Sequence, residues 1–126
     1  MGDDMFFIVE LEIGEGQVDE LRSVMREMSS TVEADEPGTV GYEWYLTRDG
    51  GTCHIYERYD DAAAAVAHGN TLPEALNRRA QQFRPTRLTA YGALGEEVMR
   101  KRIEPLLAAV PDIIITYLDP LGGFAR

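Results

Sequence analysis

The sequence is poor in the residues that form disulfides and metal sites. Its 126 residues include one cysteine, Cys53, and two histidines, His54 and His68. A single cysteine excludes an intrachain disulfide, and these residues match no spaced set of zinc ligands. No glycine-rich phosphate loop follows a predicted strand, so a nucleotide cofactor is not indicated either. We therefore expect no metal and no cofactor.

Basic residues and long apolar runs are also scarce. Twelve Lys and Arg stand against 22 Asp and Glu, which gives a formal net charge of -10. This charge disfavours nucleic acid and anionic membrane as partners, because both are negatively charged. No apolar run approaches the ~20 residues that cross a bilayer, and residues 1–4 lack the basic start of a signal peptide. A cytoplasmic location is the expectation that remains.

The sequence does contain a regular succession of strand and helix patterns. The predicted elements are a strand at 6–13, a helix from 17, strands at 40–46 and 52–59, helices at about 61–69 and 71–83, a strand at 87–92, a helix at 96–109 kinked at Pro105, and a strand at 113–118. Strands are predicted from period-two alternation and helices from apolar residues spaced three and four apart. Asp60 and Thr71 are the predicted caps of the second and third helices.

This order predicts an α+β fold of the ferredoxin-like type, with a mainly antiparallel sheet and helices on one face. We expect one domain over residues 1–126, with a core at about 5–94 and a C-terminal helix-strand extension at about 95–126. Tyr42 and Trp44 lie on one side of the second strand and Tyr45 on the other. Because both sheet faces carry apolar side chains, we expect a homodimer that pairs through its sheets.

The most distinctive segment runs from Glu36 to Asn70. It reads E-P-G-T-x-x-Y-x-x-Y, then a hairpin, then Y-E-R-Y at 56–59 and A-x-A-H ending at His68. This pattern resembles the antibiotic biosynthesis monooxygenase family, which belongs to the dimeric α/β-barrel group. The resemblance covers about residues 6–70, with weaker support through Leu94. It implies a homodimer with a pocket between sheet and helices in each subunit.

His68 and Glu57 are the predicted catalytic residues. Histidine titrates near neutral pH and can take a proton from a phenol or an enol. A carboxylate at Glu57, on the preceding strand, would orient the imidazole and favour its charged form. The alternative is a structural hydrogen bond that ties the helix to the sheet.

Predicted substrate-binding residues are Trp44, Tyr42, Tyr56 and Asn70. The aromatic rings can stack on a planar ligand, or they can belong to the core or to a dimer interface. Asn70 can stabilise an oxyanion, or it can end its helix as a C-cap. Arg58 and Arg87 can balance substrate charge or form ordinary surface ion pairs, and His54 is expected on the hairpin surface.

Members of the resembled family include cofactor-free oxygenases of aromatic polyketides and quinols, haem-degrading enzymes and proteins without known activity. The first hypothesis is therefore a cofactor-independent monooxygenase of a small aromatic substrate such as a quinol or an anthrone. The second is a non-catalytic dimer that binds a small ligand or acts in stress response. The third is an isomerase or lyase that uses the same base without oxygen.

Overall fold

The computed structural model describes residues 5–71, 73–92, 110 and 112–126. Its elements are β1 (Met5–Glu12), α1 (Val18–Asp35), β2 (Thr39–Leu46), β3 (Thr52–Tyr59), α2 (Ala62–Thr71), α3 (Glu74–Ala80), β4 (Arg84–Tyr91) and β5 (Ile114–Leu118). The predicted helix at 96–109, with its kink at Pro105, lies outside the described residues. The predicted order of the other elements is confirmed.

The five strands form one sheet in the order β2-β3-β1-β4-β5. Every neighbouring pair is antiparallel except β4 and β5, which run parallel. The split β-α-β topology places β1 at the centre of the sheet, between β3 and β4. The predicted α+β ferredoxin-like fold with a mainly antiparallel sheet is therefore confirmed. No helix within the described part of the chain is long and apolar enough to cross a membrane.

The starts of two helices differ from the prediction. Asp61, rather than Asp60, accepts a hydrogen bond from the backbone N–H of Ala64, at 2.8 Å. The N–H of Asp60 instead donates to the carbonyl of Gly38, which holds Asp60 at the end of β3. The third helix is shorter than predicted, since it begins after Pro73 with no side-chain cap and ends at Ala80.

Strand β4 begins at Arg84, three residues before the predicted start. Pro85 lies within it, opposite Leu11, and the pairing of β1 with β4 shifts register next to that point. Proline has no N–H to donate to a ladder, so it is tolerated in a strand at such an irregularity. The chain therefore enters the sheet earlier than the proline suggested.

The helices cover one face of the sheet, and strand alternation decides which side chains they bury. On β3 the buried residues are Cys53, Ile55, Glu57 and Tyr59. The buried stripe of α1 consists of Leu21, Val24, Met28 and Val32. Glu57 is thus a charged residue on a strand face that is otherwise apolar. This face contains the site described below.

The other face of the sheet carries aromatic side chains. The ring of Phe6 stacks on Tyr91, with centroids 4.5 Å apart, and lies 5.5 Å from the ring of Tyr56. The guanidinium of Arg58 lies over Phe6. We call the Phe6, Tyr56 and Tyr91 cluster the open-face aromatic cluster.

Candidate functional site

Glu36 belongs to the site although it lies outside the strands and outside α2. Helix α1 ends one residue earlier, and the chain turns between Glu36 and Thr39, whose backbone N–H donates to the Glu36 carbonyl at 3.1 Å. A side chain at Gly38 would place a Cβ 2.6 Å from the Cβ of Ala64, so only glycine lets this turn lie against α2. The E-P-G-T motif therefore brings a carboxylate beneath the alanine-rich helix.

His68 lies in the last turn of α2 and contacts two buried carboxylates. Its Nδ1 is 2.8 Å from Oε1 of Glu36, and its Nε2 is 3.3 Å from Oε1 of Glu57. The three side chains are only 6%, 3% and 4% exposed. The small side chains of α2 allow the helix to pack closely enough on the sheet for these contacts. We call this group the Glu36–His68–Glu57 cluster.

Hydroxyl groups and aromatic rings surround the cluster. The Thr39 hydroxyl donates to Glu36 Oε1 at 2.9 Å, and the Tyr59 hydroxyl donates to Glu57 Oε1. The rings of Tyr42 and Tyr59 lie 5.4 Å and 5.7 Å from the imidazole. Each carboxylate therefore has a hydroxyl donor besides His68.

The cluster places a carboxylate oxygen at each ring nitrogen of His68. Burying two carboxylates is costly unless polar partners compensate them, and the imidazole and the two hydroxyl donors are such partners. The Nε2 contact, at 3.3 Å, is longer than an ordinary hydrogen bond, whereas the Nδ1 contact is not. Nε2 is thus the more weakly held nitrogen and the better placed to exchange a proton with a ligand.

Two buried polar atoms have no hydrogen-bond partner among the described residues. They are Oε2 of Glu36, an acceptor, and Nε1 of Trp44, a donor. Such atoms are uncommon in folded proteins and call for a specific explanation. Both atoms lie on the helix-covered side of the sheet, where a bound ligand can supply the missing hydrogen bonds.

The aromatic residues predicted to bind substrate are divided between the two faces of the sheet. Tyr42 and Trp44 pair with Glu57 and Ile55 across β2 and β3, so they share the face of the cluster. Their rings meet edge to face at 5.9 Å. Tyr56 projects to the opposite face as part of the open-face aromatic cluster. Because neighbouring strand residues alternate in direction, Tyr56 lies on the opposite side of the sheet from Tyr42 and Trp44 within one subunit, and its part in substrate binding stays a prediction.

Of the remaining predicted residues, Arg87 and His54 lie on the other face of the sheet. The side chain of Asn70 lies outside the described residues. Arg87 and His54 flank the carboxylate of Glu10, at 3.4 Å each, on the open face of the sheet. These contacts match the surface ion-pair alternative for Arg87 and the surface position expected for His54.

Cys53 is buried and unpaired. Burial raises the pKa of its thiol to about 11, so the thiolate is scarce at neutral pH. Within the described part of the chain, no group of three or more His, Cys, Asp and Glu residues is arranged to hold a metal ion.

A surface cleft of about 690 Å³ lies between α1 and α3. Its lining includes Arg79, which is ion-paired with Glu20 and Glu27 of α1. Neither His68 nor its two carboxylate partners line this cleft. The cleft and the cluster are therefore separate features.

Sequence reasoning missed three residues of the site: Glu36, Thr39 and Tyr59. Tyr59 could have been found, because it lies two residues after Glu57 and so shares its strand face. Glu36 is 32 residues before His68, and no periodic signal connects them. Only the E-P-G-T motif marked this turn.

Comparison with known proteins places this architecture in one family. A family model described as antibiotic biosynthesis monooxygenase matches residues 5–74, more than half of the chain. Curated protein sequences gave no significant match.

Solved structures with the same fold include MupZ from Pseudomonas fluorescens, which has a TM-score of 0.78 and 21% identity, with 100% of this chain and 91% of MupZ covered. A candidate antibiotic biosynthesis monooxygenase from Caulobacter crescentus has a TM-score of 0.54 and 18% identity, over 64% of this chain and 74% of the other. Rv0793 from Mycobacterium tuberculosis has a TM-score of 0.52 and 28% identity, over 62% and 78%. The family match and the fold agree, and this chain belongs to the antibiotic biosynthesis monooxygenase family.

Proposed function

We propose that this protein is a cofactor-independent monooxygenase acting on a small aromatic substrate of the quinol or anthrone type. The observation that carries this proposal is the buried Glu36–His68–Glu57 cluster, an acid–base group beside two aromatic side chains. The family supports a monooxygenase-like function. Residues His68 and Glu57 are the proposed catalytic pair.

The proposed reaction begins with proton removal. A phenol or enol of the substrate transfers its proton to the cluster at His68 Nε2, and Glu57 then balances the imidazolium. The resulting anion gives one electron to O2, and the two radicals combine to form a C–O bond. The peroxide anion takes back the proton from His68 Nε2, and the resulting hydroperoxide loses water and leaves a new carbonyl, so one oxygen atom ends in the product and the other in water. The protein supplies a base, a water-poor site and groups that stabilise the anion.

Tyr42 and Trp44 are the proposed binding residues for the aromatic rings. Both lie on the face of the cluster, and the Nε1–H of Trp44 is a buried donor that has no acceptor among the residues described. A donor of this kind can stabilise a developing oxyanion. Trp44 thus takes the role that the sequence suggested for Asn70, whose contribution stays a prediction.

Oxygen uptake by the purified protein tests this proposal. A panel of quinols and anthrones is offered to the protein after treatment with a chelator, and oxygen consumption is followed with an electrode. We expect at least one compound to be oxidised faster than its spontaneous rate, with unchanged rate after chelation. A panel without any enzymatic uptake would contradict the oxygenase and favour the small-ligand-binding or stress-response dimer.

The same cluster also favours a second function, an isomerase or lyase. Both ring nitrogens of His68 contact a carboxylate, so a proton taken from one substrate atom can be returned to another without oxygen. Anaerobic incubation separates the two functions. Product formed under nitrogen at the aerobic rate indicates the isomerase or lyase, whereas strict oxygen dependence indicates the monooxygenase.

We also propose a cytoplasmic homodimer that pairs through its open sheet faces. The open-face aromatic cluster supports this arrangement, because isolated subunits rarely leave stacked aromatic rings facing water. Ile114 and Leu118 of β5 add exposed apolar area, at 52% and 42%. Both project to this face in the parallel register with Arg87 and Tyr91.

Light scattering after size exclusion tests the dimer. We expect twice the chain mass of 14.1 kDa for the wild-type protein at micromolar concentration. Phe6→Glu should give monomers, because it places a charge within the stacked rings. Leu121→Glu, at a fully exposed apolar residue outside the sheet, is the matched control and should stay dimeric. A monomeric wild type would contradict the arrangement.

A further inference from the structure

The two carboxylate oxygens of Glu36 have different surroundings. Oε1 accepts from the Thr39 hydroxyl at 2.9 Å and contacts His68 Nδ1 at 2.8 Å. Oε2 is buried and has no donor among the described residues. One oxygen therefore positions the imidazole, while the other accepts from no group in the described part of the chain, on a side chain that is only 3% exposed.

An unused buried carboxylate oxygen is costly, since it has lost its water without gaining a donor. The geometry points to Glu36 Oε2 as a ligand-binding atom: we propose that it accepts a hydrogen bond from a hydroxyl or N–H group of the substrate. The inference rests on the proposed function only in placing the substrate at the Glu36–His68–Glu57 cluster. Thr39 and Tyr42, which adjoin Glu36 and His68, are both partly exposed and mark the side of approach.

This role makes Glu36 a specificity-determining residue for an uncharged substrate that donates hydrogen bonds. Ethers and quinones carry only acceptors, which would meet the carboxylate oxygen unfavourably. Anionic ligands are disfavoured as well, because the cluster holds two carboxylates and one imidazole. The site should therefore bind the reduced, hydroxyl-bearing form of an aromatic compound and release its oxidised, quinone form.

Calorimetric binding of a matched pair of probes tests the inference without turnover. 2-Naphthol carries one hydroxyl donor, and 2-methoxynaphthalene has the same ring with the donor removed. Wild-type protein under nitrogen should bind the naphthol about tenfold or more tightly, the usual effect of a hydrogen bond to a charged group. The anion 2-naphthoate should bind wild-type protein at least as weakly as the ether.

Glu36→Gln places an amide donor at the position of Oε2 while its carbonyl can still accept from His68. This variant should reverse the preference, since the naphthol loses its acceptor and the ether gains a donor. Glu74→Gln, the same change at an exposed glutamate of α3 that pairs with Arg78, is the matched control and should keep the wild-type preference. A reversed preference supports the proposed role, because a general loosening of the site would weaken both probes equally.

Three results would overturn the inference. The first is equal binding of the naphthol and the ether by the wild type, and the second is absence of binding of either probe by the wild type. The third is an unchanged preference in Glu36→Gln, because this result would mean that water rather than the ligand satisfies Oε2. If Glu36→Gln does not fold, the comparison of 2-naphthol with 2-naphthoate in the wild-type protein still tests the inference. Tight binding of the naphthoate anion would contradict a carboxylate oxygen that repels anions. Binding without oxygen uptake in the panel above would refute the oxygenase and leave this inference intact.

Discussion

His68→Gln should lower enzymatic oxygen uptake by roughly a hundredfold or more, the usual contribution of a positioned general base. Gln is close to His in size and can still donate to a carboxylate, but it cannot take up a proton. The loss should appear in kcat, because the interaction concerns proton transfer rather than ring stacking. The measurement is steady-state oxygen consumption with the best substrate of the panel.

His54→Gln is the matched control for this change. It alters the other histidine of the chain, which lies on the open face of the sheet beside Glu10. We expect its oxygen uptake to stay within about twofold of the wild type, because His54 lies on the opposite face of the sheet from the Glu36–His68–Glu57 cluster. Undiminished turnover in His68→Gln would mean that His68 is structural and that the substrate's own acidity or another group supplies the proton transfer.

His68→Leu should lower the free energy of unfolding by about 3–5 kcal/mol, as expected when the shared partner of two buried carboxylates is removed. Leu fills most of the imidazole volume, so the cost comes from the lost polar contacts rather than from a cavity. Glu36 and Glu57 would then be buried without the imidazole that contacts both of them. Urea denaturation at neutral pH, followed by circular dichroism, measures this loss.

A triple variant separates the charge effect from packing. Changing Glu36, Glu57 and His68 together to Leu removes both uncompensated carboxylates, so it should cost less than His68→Leu alone. His54→Leu should stay within about 0.5 kcal/mol of the wild type. If His68→Leu were as stable as the wild type, the cluster would contribute no net stabilisation through its charges.

Strand and helix patterns could be predicted well because they depend on local periodicity. The alternation of 52–59 identified β3 residue by residue, and it places Glu57 and Tyr59 on one face. Helix caps and the start of β4 were predicted less well. Asp61 rather than Asp60 caps α2, since backbone pairing with Gly38 holds Asp60 in place. The register shift in β1 allows Pro85 within a strand.

Local patterns in the chain were enough to predict the fold class and the family, and they also predicted His68 as the leading site residue, a role that stays a prediction. Hydrophobic periodicity and the short motifs around Gly38 and His68 are local properties of the chain, so they can be recognised from the sequence alone. The composition also disfavoured nucleic acid as a partner, because the net charge of the chain is set by its composition and does not depend on the fold.

The groups that surround His68 could not be predicted before the chain was folded. Helix α2 must pack against the turn at Gly38 before the Glu36 carboxylate, 32 residues away in the chain, can reach the imidazole. The sheet must form before Tyr56 is separated from Tyr42 and Trp44 onto opposite faces. Charges and hydrogen bonds depend on distance in space, and sequence separation does not report that distance until the core has packed.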